Sequence, residues 1–423
     1  MNRLMSIAVI CIVIGFILAI VFSVIYKNRG GQEKVSEFGR YHGYSESTYD
    51  GAKRVSDYLT LSNGTRLAYD LILPTRKGIT ASTALPCLFK YTPYLRTFTI
   101  FDKNGKNMIA DLVRLGWKER ALLRLRYWLS KDGRYMDPVF RTPWLKNMIR
   151  HGYAVIVVER PGTGASFGKW DPSHETGGKE ASEIIDWIAS QPWSNGNVGM
   201  YGDSFQAMVQ MAAAATGNPH LKAIFPASAP LDTYDSVSFP GGVYNKAFAD
   251  FFKWSTTFLQ SGTVTPVDSD RDGSLMALAQ KERAFSLPQT VERMKNAAFR
   301  DSVESTGRSI YQDRAALYPF IERINRSGVA VCMTTGWYDI FGSEMFFWYE
   351  NLTVPKRLIV RPTDHSAVEK NGSDLDYGAE AHRWFDYWLK GIDNGIMREP
   401  PIHYYVMGLP QKDAWQVSSQ WPP

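Results

Sequence analysis

The segment "NVGMYGDSFQAMVQMAAAATG" ends an apolar strand at Gly202, places Ser204 two residues later and continues as an Ala-rich helix to Gly217. A serine at a sharp strand-to-helix turn exposes its hydroxyl, and the next backbone N–H points where an oxyanion would form. Read alone, Ser204 is equally an N-cap. Gln206 also stands where G-x-S-x-G has its second glycine. A nucleophilic serine needs a base, and the base needs an orienting carboxylate. At sites of this type the chain order is serine, acid, histidine, each at the C-terminal end of a strand. Asp339, in "GWYDIF", follows a strand ending at Gly336, and His365, in "RPTDHSA", follows one ending near Pro362. Of the seven histidines, only His365 follows a strand end downstream of such an acid. His382 and His403 fall in a helix and a later strand, where core or solvated roles suit them. Asp364 competes as the acid, but an adjacent carboxylate is poorly placed to turn back onto the neighbouring ring. The chemistry implied is acyl transfer, with Ser204 as nucleophile, His365 as base and Asp339 as orienting acid.

A glycine-rich loop, "VVERPGTGASFGKW", offers a rival chemistry, since a nucleotide or phosphate loop also follows a strand. Phe167 occupies the place of the last glycine of G-x-G-x-x-G. Thr163 and Trp170 occupy P-loop positions that require Gly and Ser/Thr. The loop is therefore read as support for the active site from a neighbouring strand end.

The elements that must position these residues are legible from pattern. "VSDYLTLSNGTRLAYDLILP" alternates apolar and polar residues around Asn63-Gly64, a hairpin signal. "PCLFKY", "YAVIVVE", "LKAIFPAS", "GVAVCMTTG" and "KRLIVRP" are short apolar runs of the kind buried on both faces of a parallel sheet. Strands alternating with helices after an opening hairpin imply an α/β sheet with an antiparallel beginning. Two stretches break the alternation. Residues 97–150 carry twelve Lys/Arg against five Asp/Glu in helical patterns, and residues 229–326 are aromatic and helical. The first reads as a basic helical insertion and the second as a helical cap. From Arg114 to Arg134 the insertion holds seven Lys/Arg against Glu119 and Asp132. Its leucine stripe suits packing on the core, with contact to an anionic membrane surface as the alternative.

A chain of 423 residues with 44% hydrophobic and 21% charged residues is globular rather than disordered. A net charge of +6 is mild and, without a matching motif, excludes a nucleic-acid partner. Cys87 and Cys332 read as core thiols, with a bridge between them as the alternative, and without paired Cys or His spacing no finger-type zinc site is expected; no metal or cofactor is expected. From Leu4 to Tyr26 run 23 residues without a charge. A helix of that length spans about 34 Å, enough for a hydrocarbon core. A signal peptide's apolar region is shorter, about 7–15 residues. The segment is therefore read as a single-pass membrane anchor at 4–26. Residues 27–50 form a polar linker. Arg3 before the segment and Lys27, Arg29, Lys34 and Arg40 after it weakly favour a cytoplasmic catalytic side.

Several segments together resemble the cocaine esterase / X-prolyl dipeptidyl peptidase family (CocE/NonD hydrolases). They are "VERPGTGASFG", "IIDWIASQPWSNGNVGMYGDSF", "GWYDIF", "RPTDHS" and "HRWFDYWLKGIDNGIMREPPIHYYVMG". The resemblance covers about residues 55–423. It implies an α/β-hydrolase fold in two parts, 51–228 and 327–423, with the cap at 229–326 between them. It also implies a serine hydrolase that cleaves an ester or amide bond of a small molecule or peptide through an acyl-serine, without a cofactor. "KYTPYLR" is similar to the family's R-T-P-Y, which makes the Tyr94 hydroxyl and the Phe205 N–H the oxyanion-hole donors. Otherwise Tyr94 reads as a turn residue. The chain departs from the family at Glu159, Pro161 and Gln206, and it stops at "QWPP", where a C-terminal jelly-roll domain would be expected. Those departures leave open an alternative, a catalytically inactive, hydrolase-like interaction or scaffold protein at the membrane.

Overall fold

The computed structural model describes residues 33–97, 139, 142–260, 264–283, 287–303, 307, 309–311, 316–365 and 375–423. The anchor expected at 4–26 and most of the basic insertion, Arg114–Arg134 included, lie outside the described residues. Among those described, no helix is long and apolar enough to cross a membrane.

The first pair of strands, β1 (Val35–Glu37) and β2 (Arg40–His42), forms a small antiparallel ribbon. The main sheet follows: β3 (Gly51–Thr60), β4 (Arg66–Arg76), β5 (Ile79–Thr80), β6 (Leu85–Thr92), β7 (Ala154–Glu159), β8 (Ser194–Asp203), β9 (Leu221–Ala227), β10 (Ala330–Tyr338), β11 (Lys356–Asp364), β12 (Ile402–Tyr405) and β13 (Trp415–Ser418). Its spatial order is β13-β12-β11-β10-β9-β8-β6-β7-β4-β3, with β5 beside β4. From β7 to β12 every neighbouring pair is parallel. The hairpin β3–β4 and the edge strand β13 are antiparallel. The hairpin turns at Asn63-Gly64, where Gly64 has φ 84° and Asn63 Oδ1 accepts from the Thr65 N–H at 2.9 Å. A left-handed φ of this kind is what glycine supplies to a tight turn.

All six residues of β7 are buried, and their alternation feeds two cores. Ile156 and Val158 face helices α2 (His174–Ser190), α3 (Phe205–Ala214), α7 (Ile321–Ser327) and α8 (Gly342–Asn351). Val155 and Val157 face α1 (Pro143–Arg150) and α9 (Tyr377–Lys390). Sheet period two thus sorts consecutive residues onto opposite layers. Helix α1 is the described end of the stretch expected as an insertion; Leu145, Met148 and Ile149 make it a core helix instead. Cys87 and Cys332 are buried free thiols.

Between β9 and β10 the described residues form α4 (Lys246–Gln260), α5 (Ser274–Glu282) and α6 (Leu287–Asn296). A separate small core of Phe239, Ala297, Ile310 and Tyr311 holds part of this region together. Residues 33–50 differ from the expected linker. They are tied to α9: the Gly39 N–H donates to Glu380 Oε1 at 2.8 Å, and Tyr41 Oη donates to Asp386 Oδ2 at 2.8 Å. Their polar composition suggested solvation, yet these polar groups have buried partners.

Candidate active site

Ser204 joins β8 to α3 with φ 56° and ψ −123°. A non-glycine residue in this region stores of order 1–3 kcal/mol of strain, held here by the surrounding elements. The Ser204 N–H donates to the Ala227 carbonyl on β9 at 2.9 Å, and the Ser204 carbonyl accepts the first helical bonds of α3. Gly202 precedes it at φ 141°, and a Cβ there would lie 2.7 Å from Gln206 Cβ. The elbow keeps one glycine and fills the place of the second with a useful side chain. Gln206 Nε2 donates to Thr92 Oγ1 at 2.8 Å, and the same oxygen accepts the Tyr94 N–H at 3.0 Å. Gln206 thus braces the turn that carries Tyr94.

The Tyr94 phenol meets both the Ser204 hydroxyl and the Phe205 N–H. Burial pushes its pKa well up, so it stays protonated and remains a donor. Behind Phe205, the Arg160 guanidinium stacks over the Trp170 ring at 4.6 Å and over the Phe205 ring at 5.4 Å, and pairs with Glu180 at 3.3 Å. Arg160 is the arginine of the glycine-rich loop "VVERPGTGASFGKW". Glu159 points inward and accepts from Arg96 Nη1 at 3.1 Å and from the Ala165 N–H at 2.7 Å. The loop amides of Gly162, Thr163, Ala165, Ser166 and Phe167 all donate within the protein. They form no phosphate cradle, and the loop buttresses the site.

Asp339 directly follows β10, and His365 directly follows β11. His365 Nδ1 lies 3.0 Å from Asp339 Oδ1 and 3.2 Å from Oδ2. Ser228 Oγ donates to Oδ2 at 2.5 Å, and the Phe341 N–H donates to Oδ1 at 2.8 Å. Burial opposes the charge on Asp339, but the His365, Ser228 and Phe341 hydrogen bonds outweigh it and hold the carboxyl below its usual range. Burial likewise disfavours a charged His365, yet Asp339, with Asp203 and Asp364 adding, raises the ring above its ordinary value. The His365 ring stands edge-on to Phe341 at 5.1 Å, and Phe341 lines the cavity that holds Ser204, Tyr94 and Phe205. His382 and His403 are buried core residues of α9 and β12. Sequence reasoning missed Ser228 and Arg160; an ordinary strand-end serine and an arginine beside a glycine-rich loop carry no local signal of these contacts.

The cavity over Ser204 is walled by Trp170 and Met208 and, from α4 and α6, by Phe248, Phe252 and Met294. No Asp or Glu belongs to its lining among the described residues. A nucleophile elbow, a mostly parallel sheet and an acid and a histidine following adjacent strands define an α/β-hydrolase-like fold. Residues 63–367 match X-Pro dipeptidyl-peptidase (S15 family), well over half of the chain, and the protein belongs to that family. A Mycobacterium bovis protein described as a serine esterase is 27% identical over 425 aligned residues, covering 89% of this chain and 62% of its own. The cocaine esterase of a Rhodococcus sp. is 29% identical over 313, covering 66% of this chain and 52% of its own. The chain therefore spans between half and two thirds of the length of these relatives. A CocE/NonD family hydrolase from Staphylococcus aureus shares the fold, with a TM-score of 0.60 at 19% identity, over 88% of this chain and 56% of that one.

Proposed function

We propose that the protein is a serine hydrolase that cleaves neutral, hydrophobic carboxylic esters through an acyl-serine on Ser204. The observation that carries this reading is the strained Ser204 elbow, whose hydroxyl meets Tyr94, together with the hydrogen-bonded Asp339–His365 pair just past the adjacent strands β10 and β11. In the reaction, Ser204 Oγ attacks the carbonyl carbon while the free ring nitrogen of His365 takes its proton. The Tyr94 hydroxyl and the Phe205 N–H receive the oxyanion. Collapse expels the alcohol, which leaves with the proton from His365, and water then releases the acid by the same route in reverse. An ester suits the site better than an X-prolyl peptide. A dipeptidyl peptidase must hold a protonated amino terminus, and the described lining of the cavity offers it no carboxylate. The scaffold alternative loses its support at Gln206, which occupies the second glycine's place and braces the Tyr94 turn. Ser204→Ala should abolish labelling by a fluorophosphonate without changing the thermal melt; a labelled Ser204→Ala protein refutes the assignment.

The uncharged run of residues 4–26 supports a second part of the proposal, a single-pass membrane anchor.

A further inference from the structure

Four non-glycine residues among those described have a positive φ: Lys77, Leu95, Ser204 and Ser228. The turn explains Lys77, which with Gly78 makes the two-residue loop between β4 and β5, where both positions need a positive φ. The other three gather at the site. Leu95 follows Tyr94, Ser204 is the nucleophile, and Ser228, at φ 54°, comes directly after β9. A side chain held in this region costs energy and persists only where its surroundings over-determine it. At Ser228 they do. Its N–H donates to the Thr334 carbonyl on β10 at 2.9 Å. The next N–H, of Ala229, donates to Met345 Sδ at 3.0 Å, and Trp348 Nε1 donates to the Ala229 carbonyl at 3.1 Å. Strand β10 and helix α8 thus fix the backbone on both sides of the strained serine.

We propose that Ser228 is a positioning residue whose hydroxyl holds the Asp339 carboxylate in the orientation that serves His365. The inference rests on the hydrolase reading and adds to that site a residue that acts only through Asp339. Ser228 Oγ donates to Asp339 Oδ2 at 2.5 Å, and the Phe341 N–H donates to Oδ1 at 2.8 Å. Each carboxylate oxygen is therefore tied, one from the end of β9 and one from the start of α8. His365 Nδ1 meets both, 3.0 Å from Oδ1 and 3.2 Å from Oδ2. The last torsion of an aspartate is soft, so with one tie the carboxylate can turn, and with two it cannot. The preceding residue, Ala227, accepts the Ser204 N–H at 2.9 Å. Consecutive residues at the end of β9 hold the nucleophile on one side and the acid on the other.

The test treats the full chain, held in amphipol, with an ethyl fluorophosphonate from about pH 5 to about pH 9. Ser204 Oγ bonds to phosphorus, fluoride leaves, and the serine proton passes to His365 and then to solvent. The labelling rate therefore follows the neutral form of His365. Ser228→Ala and Ser228→Gly both lose the hydroxyl, but only glycine adopts φ 54° freely, so a change common to both comes from the hydroxyl. Each variant should lower the plateau rate about tenfold, within the loss that a misplaced group can cause. Each should also move the acid limb down toward pH 6.5, because a carboxylate that turns away raises His365 less. Asp203 and Asp364 also raise the ring, and Lys90 and Arg361 border the same cavity. All four are unchanged, so the shift should be smaller than that of Asp339→Asn. Where Ser228→Ala does not fold, Ser228→Gly decides alone. An acid limb that stays in place or moves upward, or a change confined to Ser228→Ala, overturns the positioning role and leaves Ser204 as nucleophile. An unmutated protein that does not label overturns the hydrolase reading, and the role of Ser228 with it.

Discussion

His365 can accept a proton from Ser204 only while its ring is neutral. Asp339 raises the ring above the ordinary histidine value of 6.5, so the neutral base is lost as pH falls through that raised value. The acid limb of kcat/KM should therefore lie above pH 6.5 in this protein. Asp339→Asn removes both the charge and the acceptor. It should move that limb to lower pH while kcat drops about 10⁴-fold, as when such an acid is neutralised elsewhere. A pH profile with the same acid limb in both proteins would separate Asp339 from the base. Tyr94 is tested differently, because its burial keeps the phenol protonated throughout. Tyr94→Phe keeps the ring and loses the donor, so kcat should fall about 10²–10³-fold. KM should move little, since the contact matters where charge develops. An unchanged kcat with chemistry rate-limiting would return Tyr94 to a turn residue. At this scale Ser204, Asp339 and His365 stand out in the chain as candidates because chemistry restricts which residue types can act and in what order. Ser228 does not, since its hydroxyl meets Asp339 only after β9 and β10 pair in parallel.

Helix α3 must hold Ser204 at a left-handed φ, and α2 is what it leans on. The two pack closely enough that a Cβ on Gly178 would lie 2.6 Å from the Ala212 carbonyl oxygen. That neighbour is helix backbone and cannot rotate away. Gly178→Ala should cost about 1–3 kcal/mol, as overpacking does. It should also lower kcat, because α3 can yield only by carrying the elbow with it. A thermal melt and a turnover assay on one preparation check both, and an unchanged melting temperature would show that the helices separate freely. The strands around these helices were legible because double burial demands unbroken apolar runs, as in β7. Their ends were less so. The strand read as ending at Gly336 continues to Tyr338, which sets Asp339 immediately past its end. Trp337 and Tyr338 are exposed, so no apolar pattern marks that extension.

Across the whole molecule, residues 33–50 lie clamped to α9 through Asp386, which also accepts Tyr153 Oη at 2.7 Å. With residues 4–26 as an anchor, this clamp would seat the folded body close to the bilayer. Alkaline carbonate should leave the full chain in the membrane pellet and release a variant lacking residues 1–32; a full chain released into the supernatant refutes the anchor. Taken by itself, the sequence determined the α/β class, the opening hairpin and the burial of Cys87 and Cys332, and it singled out Ser204, Asp339 and His365 as the candidate triad. Each rests on a local pattern or on the short menu of side chains able to do the chemistry. Only the tertiary structure decided that residues 33–50 are clamped, that Gln206 braces the Tyr94 turn and that Arg160 backs Phe205. The physical reason is distance along the chain: Gln206 and Thr92 are 114 positions apart, and Tyr41 and Asp386 are 345 apart. A hydrogen bond across such separations leaves no periodicity in either segment, and it exists only once the sheet has brought the two together.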